Sequence, residues 1–137
     1  MDFEKSVKQQ VTLLNEGKPL EAFDQFFDIS GVMYANGEVF ASSAEEGRKK
    51  QEPYIRAAVS IEGKITDVKM LPAKQICVFR NQSSFVTEDG NKHQIDGLCW
   101  QHWQGGKIKE EQYFDGEQMK NHIKNGILSQ PELLLGG

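Results

Sequence analysis

The chain of 137 residues is poor in cysteine, histidine and proline, with two, three and four of each, and it has no long apolar run. The two cysteines, Cys77 and Cys99, have no C-x-x-C spacing, so neither a metal site nor a disulfide framework is indicated. Reduced thiols fit the cytoplasm, which is the expected compartment. His93, His102 and His122 lack a ligand spacing such as H-x-x-x-H, so no metal and no cofactor is expected. No segment approaches the roughly 20 apolar residues of a membrane helix. The opening MDFEKSVKQQ is too polar for a signal peptide, and no membrane association is expected. Lys and Arg are scattered and the net charge is −4, which argues against a nucleic-acid partner.

What is present is an ordinary globular composition, 38% hydrophobic and 26% charged, in a length that suits one domain, 1–137. Asp2–Asn15 reads as an amphipathic helix, with Phe3, Val7, Val11 and Leu14 on one face. Gly17 ends it, and Pro19 opens a second, shorter helix to about Phe27. Val32–Ala41 is β-like and turns at Asn36-Gly37. Ser42 or Ser43 caps a third helix with Glu45 and Glu46 in its first turn, expected to reach about Val59 with a kink or break at Pro53. Lys64–Met70 and Gln75–Thr87 read as strands, and Glu88–Asn91 as a turn. Gln94–Gln104 and Lys107–Phe114 form a hairpin about Gly105-Gly106, where both turn residues tolerate positive φ. A short helix, Glu117–Ile127, and a tail stopped by Gln130-Pro131 close the chain. Helices first and a strand meander last is an α+β pattern: a curved, mostly antiparallel sheet wrapped around the N-terminal helices.

Turns centred on Asp89-Gly90 and Gly105-Gly106 set cross-strand partners. They pair Arg80 with Cys99, Cys99 with Gln112, and Gln101 with Glu110. One face then carries Val78, Arg80, Gln82, Cys99, Gln101, Trp103, Glu110 and Gln112, a mixture that suits a cavity with a few convergent polar groups. The other carries Cys77, Phe79, Leu98, Trp100, His102, Glu111 and Tyr113. Its aromatics suit a sheet-to-sheet homodimer contact through Phe79, Leu98, Trp100 and Tyr113. A one-residue slip exchanges the two sets.

Trp103-Gln104-Gly105-Gly106-Lys107-Ile108, followed by Tyr113-Phe114-Asp115, resembles the last hairpin of SnoaL-like proteins in the nuclear transport factor 2-like superfamily. The resemblance covers about residues 3–122 and leaves 123–137 as a tail. It implies a cystatin-like cone with a central pocket, often dimeric. The superfamily includes polyketide cyclases, ketosteroid isomerases, dehydratases, limonene-type epoxide hydrolases and non-catalytic binding domains. Against the epoxide hydrolases, Tyr34-Ala35-Asn36 matches a Tyr-x-Asn element. Arg80-Asn81-Gln82 has Gln82 where that family has Asp, and Gln112 stands at its final Asp. An amide cannot act as a general base, so that chemistry is not expected.

The remaining candidates are Glu110 as a catalytic acid or base, and Tyr34, Asn36, Arg80, Gln82, Cys99, Gln101, Trp103 and Gln112 as ligand contacts. Glu110 has a competing reading as an ion-pair partner of Arg80, and Cys99 as a small core side chain. Arg80 would suit a carboxylate. The expected ligand is a small, partly apolar molecule with carbonyl or carboxylate oxygens. The alternatives are an isomerase or cyclase using Glu110, and a protein-interaction domain with a filled cone.

Overall fold

The computed structural model describes residues 2–135. The first helix, α1 (Phe3–Asn15), starts where Asp2 accepts the Glu4 N–H at 3.0 Å. Gly17, at φ +75°, closes it, and α2 (Pro19–Phe26) follows. Strand β1 (Phe27–Ala35) turns through Asn36 and Gly37, both at positive φ, into β2 (Glu38–Ala41). Ser43 caps α3 (Ala44–Arg56) by accepting from the Glu46 N–H, while the Glu46 carboxylate accepts from the Ser42 N–H. Then come β3 (Ala58–Glu62), β4 (Ile65–Leu71), β5 (Ile76–Asn81), β6 (Ser84–Thr87), β7 (Lys92–Gln94), β8 (Gly97–Gln104) and β9 (Lys107–Phe114). Helix α4 (Gly116–Lys124) and a 3-10 turn (Pro131–Leu134) complete the chain. No helix of the described residues is long and apolar enough to cross a membrane.

Six strands form a curved, unclosed sheet in the order β2-β1-β9-β8-β5-β4, antiparallel except where β1 runs beside β9. A smaller sheet, β3-β6-β7, extends one end. The fold is thus the α+β curved sheet over helices expected from the element order, in the cone shape that the resemblance implied. Its inner face packs Phe79, Cys99, Trp103 and Ile108 against Phe3, Val7 and Phe26 of the helices. Its outer face packs Val78, Leu98, Trp100 and Phe114 beneath Met119 and Ile127.

Several boundaries differ from expectation. The third helix stops at Arg56 rather than Val59, three residues beyond Pro53, and the chain goes straight into β3. The run 75–87 is not one strand: it bends at Gln82-Ser83 and crosses from the large sheet to the small one. The tail helix ends at Lys124, but the chain beyond it docks: Ile127 and Pro131 are buried. Residues 136 and 137 of the expected tail lie outside the described residues.

The register also differs, for two local reasons. The β6–β7 hairpin centres on Asp89 alone rather than between Asp89 and Gly90, with Gly90 at φ +82°, and pairs Phe85 with His93. Phe79 therefore faces Cys99, and Arg80 faces Leu98. In the last hairpin Trp103 pairs with Ile108 as the Gly-Gly turn predicts. A bulge at Lys109 then sets His102 opposite Glu110 and Cys99 opposite Tyr113. Each slip moves a set of side chains to the other face.

The loop before β4 is clamped under the end of α1. The Ile65 N–H donates to Asn15 Oδ1 at 2.8 Å, and a methyl group on Gly63 would sit 1.9 Å from the Leu14 carbonyl oxygen. That oxygen belongs to the backbone and cannot swing away. Gly63→Ala is expected to cost about 1–3 kcal/mol of stability, measured by urea unfolding. An unchanged midpoint would show that the clamp gives way freely.

Candidate functional site

Between the inner face of the sheet and the helices lies a cavity of about 910 Å³, within the range of small-molecule sites. Its wall is mainly apolar: Leu14, Phe23, Phe27, Phe40, Ile61, Phe79, Phe85 and Ile108 all contribute. Exposed residues of α3, Lys50 and Tyr54, stand at its mouth, and buried Gln10 and Gln101 lie at its floor.

The floor is a closed hydrogen-bond network around Gln101, which is 1% exposed. Gln101 Nε2 donates to Gln10 Oε1 at 2.7 Å, and Gln10 Nε2 donates back to Gln101 Oε1 at 2.9 Å. Trp103 Nε1 and the Cys77 thiol also donate to Gln101 Oε1, at 3.1 and 3.4 Å. The second N–H of Gln101 donates to Glu111 Oε2 at 2.7 Å. The amide is thereby fixed in one orientation, with every donor used. Glu111 is the one carboxylate on the cavity wall, and no hydrogen bond from the described residues reaches its Oε1. Burial pushes its acid upward, and the Gln101 hydrogen bond only partly offsets this.

Tyr113 and Cys99 face the same space, and Cys77 lies buried beside it. Burial pushes the Tyr113 hydroxyl up to about 12, so it stays a neutral donor. Burial also raises the thiols, Cys77 to about 12 and Cys99 well above its ordinary value. They are small core side chains rather than thiolates. Both lie on the inner face, not on opposite faces as the expected register had them.

Of the residues singled out from sequence, Tyr34, Cys99 and Gln101 line the cavity, and Trp103 braces its floor. The others lie elsewhere. Glu110 is on the outer face opposite His102, where its carboxylate accepts from Gln112 Nε2 at 2.8 Å. Arg80 is also on that face and pairs with Asp96 at 2.7 Å, not with Glu110. Asn36 is tied to the end of β9: its Nδ2 donates to Asp115 Oδ1 at 2.8 Å, and its Oδ1 accepts the Asp115 N–H at 3.0 Å. Gln82 sits in the bend between β5 and β6, where its N–H donates to the Lys64 carbonyl. The Tyr34, Arg80 and Gln112 set drawn from the epoxide hydrolases therefore does not converge. Of the four residues expected at a dimer contact, Phe79, Leu98 and Trp100 are buried and Tyr113 is half-buried. Phe79 and Tyr113 face the cavity, while Leu98 and Trp100 are covered by the chain's own C-terminal segment.

Glu111 and Gln10 are the functional candidates that the sequence reading missed. Glu111 was on the wrong face only because of the Lys109 bulge. Gln10 did carry a signal: a polar residue inside the Phe3, Val7, Leu14 stripe of α1, 4% exposed in the structure. Among the described residues no cluster of His, Cys, Asp or Glu could hold a metal.

A bent sheet folded over N-terminal helices, with a cavity between them, is the fold of SnoaL-like and nuclear transport factor 2-like structures. Solved structures match it. A protein assigned as a SnoaL-like polyketide cyclase from Mesorhizobium loti superposes with a TM-score of 0.69 at 17% identity, covering 84% of this chain and 100% of that one. An uncharacterized cystatin-fold protein from Novosphingobium aromaticivorans gives 0.67 at 14% identity, covering 84% and 99%. A nuclear transport factor 2-like protein of unknown function from an Exiguobacterium species gives 0.64 at 14% identity, covering 82% and 98%. No protein-family model and no curated protein matches the sequence. At these identities the likeness is one of fold.

Proposed function

We propose that the cavity binds a small, mostly apolar carbonyl compound and that Glu111 moves a proton next to its carbonyl group. The supporting observation is a single carboxyl group in an apolar cavity, held by Gln101 through one oxygen and open to a ligand through the other. A raised carboxyl is a stronger base when ionised and a usable acid when protonated, closer to neutral pH than an ordinary glutamate. Ionised Glu111 takes the proton from the carbon beside the carbonyl, and the electron pair moves to the oxygen. Tyr113, two residues along the same face of β9, supplies a neutral hydroxyl donor for that oxygen. Return of the proton to a different carbon gives isomerisation; attack of the carbanion on a second carbonyl gives cyclisation.

The test is deuterium uptake beside the ketone of 2-tetralone in heavy water, followed by NMR. The expected result is exchange well above buffer, suppressed by 2-methylnaphthalene, which fills apolar space but has no carbonyl. A ketone that binds without accelerated exchange would overturn the proton-transfer role and leave a binding protein.

A further inference from the structure

Helix α3 carries four basic side chains, and three of them have carboxylate partners. Arg48 pairs with Asp24 and Glu52, Lys49 with Glu45, and Arg56 with Glu52. Lys50 has no such partner among the described residues. It is nevertheless held in place at the mouth of the cavity. Its Nζ donates to the Phe40 carbonyl at 2.6 Å and lies 5.2 Å from the centroid of the Phe40 ring. That bond uses one of the three ammonium donors and leaves two. A cation fixed beside apolar wall, with donors to spare and no protein counter-ion, favours an anionic group on whatever enters.

We infer that Lys50 is an anion-recognising subsite, and that the ligand class is an apolar carbonyl compound with a carboxylate at its other end. The inference rests on the reading of Glu111 as the carbonyl-facing group. Glu111 at the floor and Lys50 at the mouth then define a direction for the ligand. The carbonyl enters first, the apolar body lies against Phe23, Phe79 and Ile61, and the carboxylate stays at the rim. Reversal would set a carboxylate beside Glu111, where like charges oppose one another and burial is costly.

Calorimetric titration with a homologous series of aryl keto acids, each against its methyl ester, tests this. At neutral pH the acid of the fitting length is expected to bind about ten-fold tighter than its ester, and added salt should shrink the difference. Lys50→Met should erase it by weakening the acid alone, and Lys50→Arg should retain it. Equal binding of acid and ester by the native protein would overturn the inference, as would a Lys50→Met variant that weakens both alike. Deuterium exchange on the esters separates the two readings. Esters that bind and exchange without any acid preference sink Lys50 only, and esters and acids that all fail to bind sink both.

Discussion

Glu111→Gln is expected to lower deuterium exchange on a bound ketone by about 100- to 10,000-fold, the usual contribution of a positioned acid or base. The substitution keeps size and shape. The new amide oxygen can still accept from Gln101 Nε2, so the floor network around Gln10 and Trp103 survives. Ketone binding should therefore change little while exchange collapses, and the comparison is made on one sample by NMR. Loss of binding along with exchange would show that Glu111 shapes the cavity rather than moving a proton.

The same variant carries a pH signature with a definite sign. Burial raises the folded-state acid of Glu111 above its ordinary value of 4.5, so the folded state holds this proton more tightly than the unfolded chain does. Between the unfolded and folded values, stability falls as pH rises, because the ionised carboxylate is disfavoured only when buried. Below that window Glu111→Gln and the native protein should unfold alike. Through it the variant should gain relative stability, levelling off above the folded value. Thermal melts across mildly acidic to neutral pH read this directly, and parallel curves would contradict the burial of the charge.

Trp100→Ala is expected to cost about 3–5 kcal/mol, the range for removing a large buried aromatic. Trp100 is 1% exposed on the outer face, among Leu98, Phe114, Met119 and Ile127, and its Nε1 donates to the Pro131 carbonyl at 2.8 Å. The loss has two parts: a cavity in the outer core, and release of the C-terminal segment that the indole fastens. Urea unfolding reads the first. Hydrogen exchange reads the second, as faster exchange at Met119–Gln130 than in β5. A variant that unfolds normally with its tail still protected would mean that the segment docks by other contacts. Trp100→Phe should recover most of the packing but not the Pro131 bond.

Local chemistry was legible along the chain. Ser43, one of the two serines expected to cap, caps the third helix, Asn36-Gly37 and Gly105-Gly106 are hairpin turns, and the expected α1 and α2 match to within a residue. Cys99, Gln101 and Trp103 were grouped together correctly because alternation along a single strand needs no partner. Errors entered wherever one strand had to be aligned with another. A turn centred on Asp89 alone and one extra residue at Lys109 each shifted the pairing by one. Those two steps put Arg80, Glu110 and Gln112 outside the cavity and Glu111 and Tyr113 inside it.

The sequence by itself determined the first two helices, the Asn36-Gly37 and Gly105-Gly106 turns and the order of helices before strands, because capping, turn chemistry and apolar periodicity act over a few residues. Only the tertiary structure decided which carboxylate faces the cavity. That choice depends on a bulge whose cost is local but whose benefit is the whole inner core, where Phe79, Cys99 and Ile108 meet the helices. It likewise decided that Trp100 is covered by the chain's own tail, since docking of a segment some thirty residues away along the chain is settled by packing and one hydrogen bond.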